Sequence, residues 1–212
     1  MPNLRNKTVL DLGCGFGWHC RFAREQQASS VVGVDISDNM LQRAREKTDD
    51  PCISYIKMPI EDIDFSGSEF DVVISSLAFH YIKSYEAICK KVHDCLKPGG
   101  TFVFSVEHPI FTSRNEQAWY DDDHGNHLHW PVDNYQYEGV RETTFLTENV
   151  VKYHRTISTY MNDLIGAGFS IKAVKEPMPS DDMLKSVPEM KDENRRPMFL
   201  MISAVKEPKT MK

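Results

Sequence analysis

The chain has 212 residues, 41% of them hydrophobic and 26% charged, enough to bury one full core but too few to add a large second domain. With 25 basic against 31 acidic side chains the net charge is −6, which disfavours nonspecific binding to nucleic acid, because phosphate contacts need a basic surface. No apolar run approaches the roughly 20 residues that span a bilayer, and Cys14, Cys20, Cys52, Cys89 and Cys95 lack CxxC spacing, so reduced thiols in a cytoplasmic protein are expected rather than disulfides or zinc.

Val9-Leu10-Asp11-Leu12 is short and partly β-branched and reads as a buried strand near 8 to 12. Gly13-Cys14-Gly15-Phe16-Gly17 follows it, and glycines there let backbone N–H groups approach a ligand closely. A helix near 17 to 27 and a strand near 30 to 34 come next. Asp35 then stands twenty positions after Gly15, the spacing at which an acid meets ribose hydroxyls in a doubly wound sheet. A dinucleotide loop would need its third glycine at 18, where the helix start takes a pyrophosphate. Trp18 occupies that place and the third glycine is Gly17, so a nicotinamide cofactor fits poorly.

A helix near 38 to 47, capped by Ser37 or Asp38, leads to strands near 53 to 57 and 70 to 75. A helix near 84 to 96 stops at Lys97-Pro98-Gly99-Gly100, and a fifth strand is expected near 101 to 107. Strands alternating with helices predict a parallel sheet. From His108 to about Arg155 the pattern turns aromatic, acidic and histidine-rich, an insertion in which 140–146 and 150–155 flank Thr147-Glu148-Asn149 as a hairpin, forming a flap. A helix near 156 to 166, a strand near 169 to 175, a polar helix near 180 to 193 and a strand near 198 to 205 finish the chain, the last two strands being antiparallel neighbours.

The glycine loop, Gly33-Val34-Asp35-Ile36-Ser37, the stretch from Phe70 to Tyr81, and Leu96-Lys97-Pro98-Gly99-Gly100 stand in the order found in class I S-adenosylmethionine-dependent methyltransferases. The chain resembles that family, particularly its small-molecule branch that includes ubiquinone and menaquinone biosynthesis methyltransferases. The resemblance implies a single α/β domain over 1–212, a Rossmann-like doubly wound sheet of seven strands with the last antiparallel, and residues 108–155 as an inserted flap or lid. It implies S-adenosyl-L-methionine as cofactor and methyl transfer to O, N or C of a small-molecule acceptor. Carried over by motif, Gly13, Cys14, Gly15 and Gly17 line the methionine part, Asp11 supports its amino end, and Asp35 holds both ribose hydroxyls. Ile36 and Met40 flank the adenine, the carbonyl of Ser75 accepts from the α-ammonium group, and Leu77 borders the methyl. Pro59 stands where relatives often place an Asp for the adenine amino group, which leaves the backbone of Ile60 and the side chain of Glu61 as edge contacts.

Only Met1 to Lys7 precede the first strand, where relatives usually carry helices over the site. Either the flap encloses the site alone, or the chain is a noncatalytic binder of S-adenosylmethionine or its demethylated product. Methyl transfer needs a base only if the nucleophile arrives protonated. His80 and His108, at the ends of the fourth and fifth strands, are the candidates for it. Tyr81 beside His80, with His154 and Arg155 at the flap's end, are candidate substrate contacts, since a guanidinium grips a carboxylate. His124, His127 and His129 lack metal-ligand periodicity and read as an exposed loop, so no metal is expected. Acceptor identity and oligomeric state leave no mark in the sequence.

Overall fold

Apolar alternation along the first strand decides how the molecule is layered. The computed structural model describes residues 1–208 apart from Ser66, Ser68 and Leu146, with backbone alone for 144, 145 and 147–149. In β1 (Thr8–Leu12), Leu10 and Leu12 enter one buried cluster with Phe79, Phe102, Phe104 and Tyr160, whereas Val9 enters another with Cys20, Ala23, Val31 and Leu41. Successive strand side chains point to opposite faces, so this sheet is covered on both.

The chain continues through α1 (Trp18–Glu25), β2 (Ser30–Asp35), α2 (Asp38–Glu46), β3 (Ile53–Lys57), β4 (Phe70–Ser76), α3 (Tyr85–Cys95) and β5 (Leu96–Glu107). After β5 come α4 (Pro109–Thr112), β6 (Tyr120–Asp121), β7 (His127–His129), β8 (Gly139–Phe145) and β9 (Thr147–His154). The chain then forms α5 (Ile157–Gly166), β10 (Phe169–Lys175), α6 (Asp181–Ser186) and β11 (Phe199–Lys206). Seven strands join in the order β10-β11-β5-β4-β1-β2-β3, with β1 to β5 parallel and β11 antiparallel to both its neighbours. This is the Rossmann-like doubly wound sheet the motif order implies. From β1 the chain steps outward to β2 and β3 and then returns to the other side at β4, so a crevice opens at the carboxyl ends of β1 and β4.

Three local expectations are corrected. First, β5 begins at Leu96 instead of near 101: Phe70 pairs with Leu96 before the register slips to Val72 opposite Thr101, and Gly99 absorbs the bulge at φ 79°. Second, the helix expected over 180–193 breaks at Val187, because Pro188 lacks an N–H and pushes the residue before it out of helical geometry. The stretch Pro188–Arg195 continues as 3₁₀ turns. Third, Thr147, Glu148 and Asn149 are strand and not turn, since Phe145 already lies opposite Thr147 in the two-stranded ribbon of β8 and β9.

Residues 108–155 are stitched to the rest of the protein at several points. The Arg155 guanidinium donates to the carbonyls of Phe79, Ile82 and Lys83, just beyond β4. Phe111 stacks on Trp130 at 5.0 Å, with Trp119 edge-on at 5.3 Å. The Arg196 guanidinium lies 4.1 Å from the centre of the Trp130 ring, while that of Arg195 lies 4.6 Å from Trp119 and donates to the carbonyls of His127 and Leu128. Among the described residues no helix is long and apolar enough to cross a membrane. All five cysteines are free.

Candidate functional site

Two cavities open at the carboxyl ends of the strands. The first, about 550 Å³, is framed by the loop after β1 and the end of β2. The loop is pinned where the N–H groups of Gly13 and Cys14 both reach the Val34 carbonyl, at 2.8 and 3.0 Å. Gly13 sits at φ 73°, and a Cβ there would stand 2.6 Å from that of Ala78, so only glycine fits. Asp35 accepts from the Gly15 N–H through Oδ2 and from the Ser37 N–H through Oδ1, each at 2.8 Å. A carboxylate offers about four lone-pair sites, so about two remain for a ligand. The Ser37 side chain in turn accepts from the Met40 N–H and caps α2.

Of the residues expected around a cofactor, the structure brings Gly13, Gly15, Asp35, Ile36, Met40, Ile60, Glu61 and Leu77 into this one wall. Asp11, Cys14, Gly17 and Ser75 lie behind it. A Cβ on Gly17 would overlap the Tyr55 hydroxyl, so that glycine lets the loop pack on β3. The Ser75 hydroxyl donates to the Leu12 carbonyl at 2.8 Å, and the wall itself is formed by the next residue, Ser76. Asp11 is buried against α1, where Oδ2 accepts from the Cys20 thiol at 3.3 Å and Oδ1 has no partner. Burial pushes its carboxyl up to about 7, and the charge of Asp35 adds to the push.

The second cavity, about 350 Å³, shares Leu77 and Tyr81 with the first. Leu77 holds a left-handed backbone at φ 55°, and its N–H donates to the Ser105 carbonyl at 2.9 Å. Beyond it the wall is made by His80, Glu107, Phe111, Gln117 and Phe199, among others. The His80 ring is buried; its Nδ1 accepts from the Glu107 N–H at 3.3 Å, and its Nε2 stands 4.0 Å from Glu107 Oε1. Burial first, then the nearby charges of Lys152 and Arg155, push this imidazole down to about 3, so it is neutral near pH 7. Glu107 Oε1 accepts from the buried Lys152 ammonium at 2.6 Å, and Oε2 from the Gln117 amide at 3.3 Å. Lys152 also donates to Gln117 Oε1 at 3.0 Å. Burial raises the Tyr81 hydroxyl, with Glu107 contributing.

The remaining candidates line neither cavity. His108 caps α4, its Nδ1 accepting from the Ile110 N–H at 3.1 Å, while its Nε2 meets Glu176 at 2.9 Å. Burial lowers its pKa. His154 directs Nε2 at the Tyr135 carbonyl, 2.9 Å away, so that nitrogen donates and Nδ1 accepts from the Thr112 hydroxyl at 2.8 Å. Arg155 spends its donors on main-chain carbonyls. Among the described residues no three His, Cys, Asp or Glu side chains converge on a metal position, and His127 pairs with Asp121 at 2.6 Å.

Glu107, Lys152 and Gln117 are functional candidates that the sequence reading passed over. A usable signal existed for Glu107, a carboxylate closing the run Phe102 to Val106 at the carboxyl end of a central strand, where ligands bind.

The chain matches the family model described as "Methyltransferase domain" over residues 10–104. A solved Mesorhizobium loti S-adenosylmethionine dependent methyltransferase is 43% identical, with a TM-score of 0.91 over 97% of this chain and 93% of that one. A Listeria monocytogenes chain assigned to the same class is 53% identical, with a TM-score of 0.93 over 98% of this chain and 93% of that one. A Haemophilus influenzae protein without an assigned activity is 38% identical over 97% of this chain and 84% of its own length.

Proposed function

The chain belongs to the S-adenosylmethionine-dependent methyltransferases, and from that premise we propose that it moves a methyl group to O, N or C of a small-molecule acceptor seated in the second cavity. One observation carries the reading: Leu77 and Tyr81 line both cavities, so a donor in one and an acceptor in the other meet across two side chains.

The residues of the first cavity fit the cofactor. Asp35 keeps free lone pairs for a pair of ribose hydroxyls. Ile36 and Met40 offer apolar surface to a flat base, with Ile60 and Glu61 at its edge, and Gly13 and Gly15 present bare backbone to the amino-acid end. Asp11, Cys14, Gly17 and Ser75 contribute from behind by holding the loop's shape. S-adenosyl-L-methionine supplies a methyl already activated on a sulfonium, so the protein's share is alignment and exclusion of water.

Residues 108–155 act as the lid of a single domain spanning 1–212, since Phe111 and Gln117 come from that segment and close the acceptor cavity. Of the two expected histidines, His80 faces the acceptor. His108, His154 and Arg155 fasten the lid. The net charge of −6 favours a metabolite over nucleic acid, and the cytoplasm is the proposed location.

Incubating the protein with methyl-labelled S-adenosylmethionine and a cell metabolite extract, followed by mass spectrometry, tests this directly. Label in a small molecule is expected. Cofactor binding without any labelled product would reduce the protein to a binder, and absence of calorimetric cofactor binding would end the assignment of the first cavity.

A further inference from the structure

Resting on that reading, we propose that the second cavity selects an uncharged protic acceptor. Its O–H or N–H donates to Glu107, a lone pair beside that hydrogen accepts from His80 Nε2–H, and carboxylates and phosphates are refused.

The tautomer of His80 is the first support. Its Nδ1 accepts the Glu107 backbone N–H, so the single proton of the neutral ring sits on Nε2. The ring is buried and resists a second proton. In that state Nε2 donates and cannot serve as a base, which redirects the role expected of His80 from taking a proton to giving a hydrogen bond.

Glu107 supplies the complementary group. Its Oε1 lies 4.0 Å from His80 Nε2, too far for a hydrogen bond, so the two do not satisfy each other although both line the cavity. One contact to Lys152 and one to Gln117 leave about two of the carboxylate's four or so lone-pair sites. A donor and an acceptor side by side match a group that both gives and takes a hydrogen bond. Hydroxyls and neutral N–H groups do so.

Charge excludes the alternatives. A carboxylate or phosphate brings only acceptors and would face Glu107, with Glu116 also in the wall. The Lys152 ammonium is held by Glu107 and Gln117 and is not part of the lining, so it offers an incoming anion no direct hydrogen bond. Leu77, Phe111, Met198 and Phe199 give the wall its apolar surface, which suits an aromatic or aliphatic body behind the protic group.

Long-range ¹H–¹⁵N NMR of histidine-labelled protein, saturated with S-adenosylhomocysteine, provides the test. His80 is expected to show a protonated Nε2 and a bare Nδ1, unchanged between about pH 5 and 8. Phenol, anisole, benzoate and phenyl phosphate are then titrated as probes. Phenol should move the His80 Nε2 signals and bind about tenfold tighter than either anion, with anisole in between. Glu107→Gln alone strands the Lys152 charge, so the informative variant pairs it with Lys152→Met, and the discrimination against benzoate should vanish. A proton on Nδ1, benzoate binding as well as phenol, or unchanged discrimination in the paired variant overturns the proposal. Calorimetry with S-adenosylhomocysteine on the same samples separates the two levels. No heat would sink the proposed function, whereas normal heat with phenol leaving His80 untouched sinks only this inference.

Discussion

The two cavities are built in different ways. The first is organised around a main-chain loop: Gly13 and Gly15 stand at positive φ, and Asp35 holds two N–H groups at the next strand end. The second is mostly side chains from four separated stretches, meeting as His80, Glu107, Gln117 and Phe199 with Lys152 behind them. A site made of backbone geometry tolerates little change and reads the same donor. A site made of convergent side chains can be retuned one residue at a time, which suits the acceptor side of the proposed reaction. The match to the family model takes in Leu77, His80 and Tyr81 of the second cavity but ends at Phe104, three residues before Glu107.

If the cavities are separate in this sense, variants should damage them separately. Lys152→Met is expected to have the largest effect, lowering stability by about 3 to 5 kcal/mol, because it leaves the Glu107 carboxylate buried without its partner. Pairing it with Glu107→Gln should restore most of the loss in urea unfolding while affinity for S-adenosylhomocysteine stays near normal. A paired variant that loses the cofactor would show the two cavities to be one unit. Asp35→Ala should do the reverse, weakening cofactor binding by about 1.5 to 3 kcal/mol with probe binding at His80 intact, as read by calorimetry and NMR.

Gly17→Ala separates loop shape from cavity wall. The new methyl would press on Tyr55 from a backbone at φ 75°, so a stability loss of about 1 to 3 kcal/mol is expected in denaturant titrations. Its effect on cofactor affinity should be smaller than that of Asp35→Ala.

The last expected effect is a pH slope. Asp11 has its pKa raised from 3.8 to about 7 by burial, so the folded protein holds that proton more tightly than the unfolded chain. The resulting stability is complete below about pH 4 and is lost as pH rises through about 7. The unsubstituted protein should therefore lose stability relative to Asp11→Asn across that window, measured by urea unfolding at several pH values. A constant difference would show that Asp11 titrates normally.

The sheet was legible because each half of it is announced locally. β-Branched runs ending in glycine or a capping serine mark where strands stop and helices start, as at Leu12-Gly13 and Ser37-Asp38. The residues expected around a cofactor came instead from the resemblance in motif order, and the structure sets eight of them in one wall. Glu107 and Lys152 came from neither, since a charged residue at a strand end and another in a hairpin look like solvated positions until the hairpin folds back onto β5. His108 and His154 misled for a related reason. A histidine near a ligand edge and a histidine fastening a cap or a carbonyl have the same local sequence, and only the partners Ile110, Glu176, Thr112 and Tyr135 tell them apart.

Arg195 and Arg196 lie outside the segment whose Trp119, Trp130 and Phe111 they grip. Anyone grafting the 108–155 stretch of one relative onto another to exchange acceptor preference would therefore move a lock without its key. A transplantable unit has to be discontinuous, carrying the Pro188–Arg195 turns and Arg196 along with the insertion. A chimera that swaps only the insertion should keep the sheet and its cofactor loop but present a poorly seated roof, the outcome a directed-evolution library would then spend its first mutations repairing.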